Sequence, residues 1–427
     1  MDNHECLLAQ GTEDWVYDDV KLAAAFTEAL VALGPRRRVL ALPPDGTRSH
    51  SRAGVLLAAA YAYYGKALTA VMPALGTHRP MGRAEAAAMF PGVPYDLFRP
   101  HDWRNDIIEL GRVPSSFVEK VSNGACTFDW PAEVNRLLVE GGFDLILSLG
   151  QVVPHEVVGM ANYTKNVMVG TGGRTGIDRS HWLGAAHGIE KTLGRVDTPV
   201  RAVLDYAQAE FASKLPLVYA LTVAGPDGKG GDAVRGLYVG TGRVCFERAA
   251  ALSARVNIEY LPRYADRVVV YLNPADFKST WLGNKAIYRT RMAIADGGEL
   301  IVMAPGVDSF GQDPAIDETI RDYGYCGRDT VLDLVNSGEL AGDLAGAAHL
   351  VHGSHDDRFS ITYAAGGLSR DEVEGVGYRW ADSHTLMATY DPEKLADGWN
   401  VVDGREIFFV RNPALGLWVA GGPGRLA

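Results

Sequence analysis

Three side chains capable of acid–base or nucleophilic chemistry stand close together in the middle of the chain. Lys165 follows His155 by ten residues and His181 follows by sixteen more. A further imidazole, His101, lies upstream. Two imidazoles titrating near neutrality on opposite sides of a substrate can serve as acid and base in turn, which suits inversion of a stereocentre. Lys165 has Met160 before it and Val167, Met168 and Val169 after it. Apolar surroundings lower an amine's proton affinity and make it a nucleophile toward a carbonyl or thiocarboxyl carbon. Arg79 and Lys285 are candidates to grip a carboxylate, since a guanidinium fork matches two oxygens.

Each of these residues also has a plain structural reading. His155 alone is as well suited to bonding a loop carbonyl, and His101 precedes Asp102, with which it can pair. A lone lysine usually faces solvent. The VGTGGRTG stretch between Lys165 and His181 lets a backbone approach a bulky or anionic group, but a tight turn uses the same glycines and no complete GxGxxG is present. VGTGRV at 239–244 reads as a strand-to-helix turn, and Asp45-Gly46 as a turn signal. His349, His352 and His355 are spaced around a helix that Gly353 weakens, so they are expected at the surface rather than on a metal. What stands out is the ordered set.

These residues must be held by an α/β scaffold. RVLALPP (38–44), ALTAVMPAL, YDLFRPHDW and FDLILSLG read as four buried strands, each followed by a polar or glycine-rich loop. A parallel sheet gathers such loops on one edge, which predicts that Asp45 to Arg48, Thr77 to Arg79, His101 and His155 converge. Ser180 reads as the N-cap of a helix beginning near His181. Residues 183–212 are expected to be helical, LVYALTVAG and AVRGLYVGTG a strand pair, and RVCFERAAALSARVN an amphipathic helix. Beyond Pro262, DRVVVYLNP, a helix over KSTWLGNKAIYRTRMAIA, and GELIVMAPG make a βαβ unit of a second domain. The expected architecture is therefore α/β with two domains, 1–265 and 266–427. Each has a mostly parallel sheet flanked by helices, with the active site in the interdomain cleft.

Composition narrows the function classes. The chain has 427 residues, 47% of them hydrophobic, enough for more than one core. Its formal net charge of −11 argues against a nucleic-acid partner. No apolar run is long enough for a membrane span, and Met1 to Tyr17 lacks the order of a secretory signal, so a cytoplasmic location is expected. Four scattered cysteines without a CxxC pair speak against a disulfide scaffold or a structural zinc site.

The sequence resembles the nickel-pincer lactate racemase family. The residues that carry the resemblance are Asp-x-Thr-Arg at 45–48, GTHRP (76–80), HDW (101–103), PH (154–155), Lys165, SH (180–181) and Lys285. The resemblance implies a nickel ion held in a pyridinium-3,5-bisthiocarboxylic acid mononucleotide. On that basis Lys165 is the lysine that can bond to the cofactor, His181 the nickel ligand, and His101 and His155 the acid/base pair. Arg79 and Lys285 orient substrate, while Asp45, Thr47, Arg48, Thr77, Tyr163, Thr164, Gly172 and Gly173 line the cofactor. The implied reaction is racemisation or epimerisation of a small-molecule 2-hydroxy acid by hydride transfer. It needs cofactor-synthesising enzymes as partners and leaves a homodimer open. The approach to the lysine is MANYT (160–164), where lactate racemase is rich in glycine and serine. Leu282-Gly283-Asn284-Lys285 replaces a Gln-x-x-Lys pattern, and Ser49 stands where proline is frequent. Changed hydrogen-bonding groups predict a substrate larger or more polar than lactate, such as a sugar acid. A metal-dependent hydrolase or lyase using His155, His181 and Asp178, a nicotinamide oxidoreductase, and a non-enzymatic cofactor-binding protein are the alternatives.

Overall fold

The computed structural model describes residues 5–227, 231–414 and 416–426, without the side chains of residues 47 and 423. By contact density the chain forms two compact units, 1–183 with 193–257, and 184–192 with 258–427.

The first unit is built on a six-stranded sheet. Its strands are β1 (Leu8–Gly11), β2 (Val39–Leu42), β3 (Leu68–Val71), β6 (Leu145–Gln151), β9 (Leu217–Pro226) and β10 (Asp232–Gly240), in the order β1-β10-β9-β6-β2-β3. Pairings β9–β6, β6–β2 and β2–β3 are parallel, and β1–β10–β9 is antiparallel. Every residue of β2 and β6 is buried, as expected of strands covered on both faces. Helix α1 (Asp19–Leu33) starts where the Asp18 carboxylate accepts the Lys21 N–H at 2.8 Å, and ends at Gly34 with φ 76°. It lays Leu22, Phe26 and Leu30 into a core shared with Leu56 and Leu57 of α2 (Ala53–Tyr64) and with Leu147 of β6. Each such side chain contributes about 1.5–3 kcal/mol on burial.

Two smaller pairings flank this sheet. An antiparallel ladder joins β4 (Ile107–Val113) to β5 (Trp130–Asn135), and a two-residue ladder joins β7 (Pro154–His155) to β8 (Gly159–Met160). Expectation and structure differ at YDLFRPHDW. Pro94 and Pro100 interrupt the ladder, leaving a 3-10 turn at Tyr95–Leu97 and a single bridge from Val71 to Phe98. His101 is therefore carried by a loop rather than a strand end.

The second unit has its own sheet, made of β12 (Ala265–Tyr271), β13 (Ile294–Ala304), β14 (Ser360–Ala365), β15 (Arg379–Trp380), β16 (Gly398–Val402) and β17 (Arg405–Val410). The order is β15-β14-β13-β12-β17-β16, and only β16–β17 is antiparallel. A parallel pair, β11 (Ile258–Leu261) with β18 (Leu417–Ala420), lies apart from it. The fold is thus α/β, with two mostly parallel sheets flanked by helices. The helix expected over KSTWLGNKAIYRTRMAIA is two short helices, Thr280–Gly283 and Lys285–Thr290, separated at Asn284 (φ −66°, ψ −1°), and the segment's end already enters β13. No helix among the described residues is long and apolar enough to cross a membrane.

Candidate functional site

In the first sheet β2 is flanked by β3 on one side and β6 on the other, so the chain leaves β2 and β6 toward opposite edges. A crevice forms beyond the carboxyl ends at such a switch point, and ligands bind there in open α/β sheets. Asp45 and Arg48 follow β2, Gln151 ends β6, and His155 follows it in β7. Asp45 is buried and meets His78 Nδ1 at 2.5 Å, while the Gln151 amide meets His50 Nε2 at 2.6 Å. Gly76 N–H bonds Gly170 O at 2.9 Å, tying the GTHRP turn to the glycine stretch. The short helix α3 (Thr164–Met168) is pinned over β2 and β6 because Asn166 Nδ2 donates to Leu42 O at 3.2 Å and to Ser148 Oγ at 2.8 Å.

His155, Lys165 and His181 come together here and act on one another electrostatically. Burial pulls the Lys165 amine from 10.5 down to about 8, helped by Arg48 and Arg201 and opposed by Glu156 and Asp45. The His155 imidazole is held well below its ordinary value, again first by burial; Glu156 opposes this, and Lys165, Arg48 and His181 reinforce it. His181 is lowered by burial and by Lys165, while the Ile177 carbonyl raises it. Hydrogen bonds fix the two rings in opposite tautomers. His181 Nδ1–H donates to Ile177 O at 2.8 Å, which leaves the Nε2 lone pair for a ligand. His155 Nδ1 accepts the Val157 N–H at 3.1 Å, so the proton of its neutral ring sits on Nε2.

His101 lies in a different setting. Its Nε2–H donates to Gly172 O at 3.1 Å and its Nδ1 accepts from Asn135 Nδ2 at 3.2 Å, in a site 2% exposed. The Asn135 Oδ1 caps Leu137 N–H at 3.0 Å, which fixes the orientation of that amide. Burial lowers the proton affinity of this ring as well, with the Gly172 carbonyl opposing. Asp102, its expected partner, instead binds the backbone and side chain of Asn105.

The glycines have packing reasons. A Cβ at Gly172 would stand 2.3 Å from Met168 O, and one at Gly173 would stand 2.3 Å from Glu133 Oε2. Glu133 is itself raised by burial and receives the Gly176 N–H, so a carboxylate already occupies the start of helix α4 (Arg174–His187). The expected N-cap at Ser180 is corrected: the helix starts earlier, and Ser180 is buried inside it, donating to Gly176 O at 2.7 Å and accepting Trp130 Nε1–H at 3.0 Å. Asp178, the carboxylate a hydrolase would recruit, pairs with Arg174 at 3.2 Å.

Other candidates are placed as follows. Arg79 is exposed and ion-paired with Glu85, its Nη1 lying 3.0 Å from Oε2. Thr77 is exposed, and the Thr47 side chain falls outside the described residues. Tyr163 is buried, stacked on Phe246 at 5.1 Å and tilted on Tyr219 at 4.6 Å. The Thr164 hydroxyl donates to Asp205 at 2.7 Å. Sequence reasoning missed Arg201, which is 0% exposed in α5 (Pro199–Phe211). It donates to Met160 O at 2.7 Å, Asn162 O at 3.1 Å and Thr164 Oγ1 at 2.5 Å, and stacks 4.5 Å over Phe246. Asn162 and Tyr163 have positive φ of 69° and 57°, a strain of roughly 1–3 kcal/mol each that those three bonds offset.

In the second unit Lys285 opens its short helix with its amine 5.9 Å from the Phe277 ring. The surface placement expected for the histidine string is corrected for two members. His349 and His352 are 6% and 5% exposed. His349 Nε2 meets the Tyr325 hydroxyl at 3.1 Å and its ring lies 4.5 Å from Trp281, and burial pulls it down to about 3. Their partners come from distant helices and loops, which the local spacing does not reveal.

Residues 32–192 match the lactate racemase N-terminal domain family. No curated protein matches the sequence significantly. Among solved structures, a Thermotoga maritima protein aligns with a TM-score of 0.80 at 23% identity, covering 97% of this chain and 100% of that one. The lactate racemase apoprotein of Thermoanaerobacterium thermosaccharolyticum aligns with a TM-score of 0.70 at 16% identity, covering 96% and 94%. At these identities the structural likeness speaks for the fold.

Proposed function

We propose, from the match of residues 32–192 to the lactate racemase N-terminal domain family, that the chain is a racemase or epimerase inverting the C2 centre of a 2-hydroxy acid. That match supports the racemase or epimerase class. The nickel-pincer nucleotide and a substrate larger or more polar than lactate are the finer part of the proposal.

The observation that carries it is the tautomer of His181 beside a half-buried amine of depressed proton affinity. Nickel binding needs an imidazole with a free nitrogen, and His181 offers Nε2 because Nδ1 is engaged at Ile177 O. Attachment to the organic ring needs an amine that is partly neutral, and Lys165 at about 8 meets that requirement. Among the described residues no group of three or more His, Cys, Asp or Glu could hold a metal ion. A metal at His181 would therefore draw its remaining donors from the bound group, and sulfur donors in a planar field suit nickel. When bound, that group supplies the hydride acceptor.

The chain's own part is proton transfer and orientation. His155 rests neutral, and its Nε2–H would bond a substrate oxygen. For Nε2 to accept a proton, the resting proton must first pass to Nδ1, which requires releasing the Val157 N–H at a cost of about 1 kcal/mol. His101 serves as the second acid/base group once its Nε2–H leaves Gly172 O. Arg79 would take a substrate carboxylate in exchange for Glu85. Asp45, Thr47, Arg48, Thr77, Tyr163, Thr164, Gly172 and Gly173 are the proposed cofactor surround, Tyr163, Thr164 and the two glycines through the backbone they shape.

The test is native mass spectrometry with metal analysis after co-expression with cofactor-synthesising enzymes. One nickel and one pincer mononucleotide per chain is the expected result; zinc alone or a dinucleotide overturns it. For the reaction, single enantiomers of Cα-deuterated 2-hydroxy acids should invert with deuterium retained, and loss of deuterium to solvent would point to simple deprotonation.

A further inference from the structure

Three of the five residues that lead into Lys165 are gripped by one guanidinium. Arg201 reaches the carbonyls of Met160 and Asn162 and the hydroxyl of Thr164, at 2.7, 3.1 and 2.5 Å. Thr164 passes the contact on to Asp205 Oδ1 at 2.7 Å, and Asp205 Oδ2 receives Arg243 Nη1 at 2.8 Å. Arg243 in turn pairs with Asp197 and Glu247. The backbone between the gripped groups takes two consecutive left-handed residues, Asn162 and Tyr163, which a chain of non-glycine residues adopts only where its surroundings over-determine it. A guanidinium is suited to this because its donors form a rigid planar fork that matches several fixed acceptors at once. Burying it fully, with an aspartate 4.0 Å away that is shared with another arginine, is costly for the core and asks for a reason.

We propose that Arg201 is a positioning residue for Lys165: by fixing the 160–164 backbone it sets the reach and the nucleophilicity of the Lys165 amine. This rests on the reading of Lys165 as the cofactor-bonding lysine, and it adds a residue 36 positions away that makes no contact with substrate. The fork holds the strained turn, the turn aims the first turn of α3, and the amine is thereby kept out of bulk water. The guanidinium's positive charge acts in the same direction, because a second buried cation disfavours protonation of the amine.

The experiment measures acylation of Lys165 in the apoprotein by a small N-hydroxysuccinimide ester across pH, read peptide by peptide by mass spectrometry, with the exposed Lys394 as internal control. Arg201→Met removes fork and charge, Arg201→Lys keeps the charge, and Thr164→Val removes one contact. In the wild type the Lys165 midpoint should fall near 8. In Arg201→Met it should rise by about a pH unit, giving about fivefold less labelling at pH 8, with Lys394 unchanged and an intermediate shift in Arg201→Lys. An unchanged Lys165 profile in any folded Arg201 variant overturns the proposal. So does failure of all three variants to fold, which would make Arg201 a core residue alone. Cofactor retention by the wild type separates the two readings: a moved profile without retention keeps the positioning role and removes the racemase assignment, whereas retention with an unmoved profile does the reverse.

Discussion

Replacing Lys165 with Met should stabilise the apoprotein at neutral pH, although it removes a residue central to the proposed function. The drop from 10.5 to about 8 corresponds to about 3.4 kcal/mol against the charged amine. Because Lys165 is half-buried and water screens part of that cost, about 2 kcal/mol is the working figure. Below pH 8 both the folded and unfolded chains hold the proton, and the folded state bears the full penalty. Between 8 and 10.5 the unfolded chain keeps a proton that the folded chain has released, so wild-type stability rises with pH through this window. Above it the penalty is gone. Lys165→Met has no such dependence, so it should exceed the wild type by about 2 kcal/mol at pH 7, with the gap falling to about a quarter of that by pH 10. Urea unfolding at the two pH values, followed by hydrogen exchange in β6 so that the transition belongs to the first unit, measures the gap. Methionine's packing contributes equally at both pH values, so the change in the gap is decisive. A gap that is the same at pH 7 and pH 10, or a variant less stable at pH 7, would refute the reasoning that the amine is held against its charge.

Asn135→Asp should retain the cap on Leu137 while placing a carboxylate on His101 Nδ1, so the ring's proton affinity should rise above that of the wild type; NMR titration of labelled imidazole carbons reads this, and a fall would refute it. Trp130→Phe removes an indole N–H that serves both Gly176 O and Ser180 Oγ inside the first unit, and should cost about 1–3 kcal/mol in denaturant unfolding. Glu85→Gln should release Arg79 for a substrate carboxylate and lower KM with kcat unchanged; an unaltered KM would remove Arg79 from substrate binding. His181→Gln should abolish nickel retention in native mass spectrometry while leaving the apoprotein's melting temperature near that of the wild type, since its ring bonds a carbonyl one turn back in its own helix.

What could be read in advance follows how local each feature is. The short apolar runs VLAL in β2, LIL in β6, VVV in β12 and LIVMA in β13 announce themselves because the stretch of a strand covered on both faces is mostly apolar. His155, Lys165 and His181 were readable as a group because one loop and two helices carry them all past the end of β6. The structure then adds what no spacing contains: which ring nitrogen each imidazole presents. Arg201 was invisible for the same reason in reverse. In its own helix it is one more charged residue among Asp205 and Glu210, and only the return of the 160–164 backbone against that helix turns it into a three-way donor. His349 and His352 misled because their spacing around a helix implies a solvated face, while Trp281, Tyr288 and Tyr325, remote in sequence, cover that face. Ser180 misled because its hydroxyl bonds a carbonyl one turn back, a choice open to serine inside a helix as well as at its start. The chemistry-bearing side chains were thus legible, but the groups that set their protonation were not, because those groups are backbone carbonyls and buried polar side chains brought in by the fold. That division puts the sharpest tests at Ile177 O, Val157 N and Gly172 O, whose bonds decide which nitrogen of His181, His155 and His101 can do work.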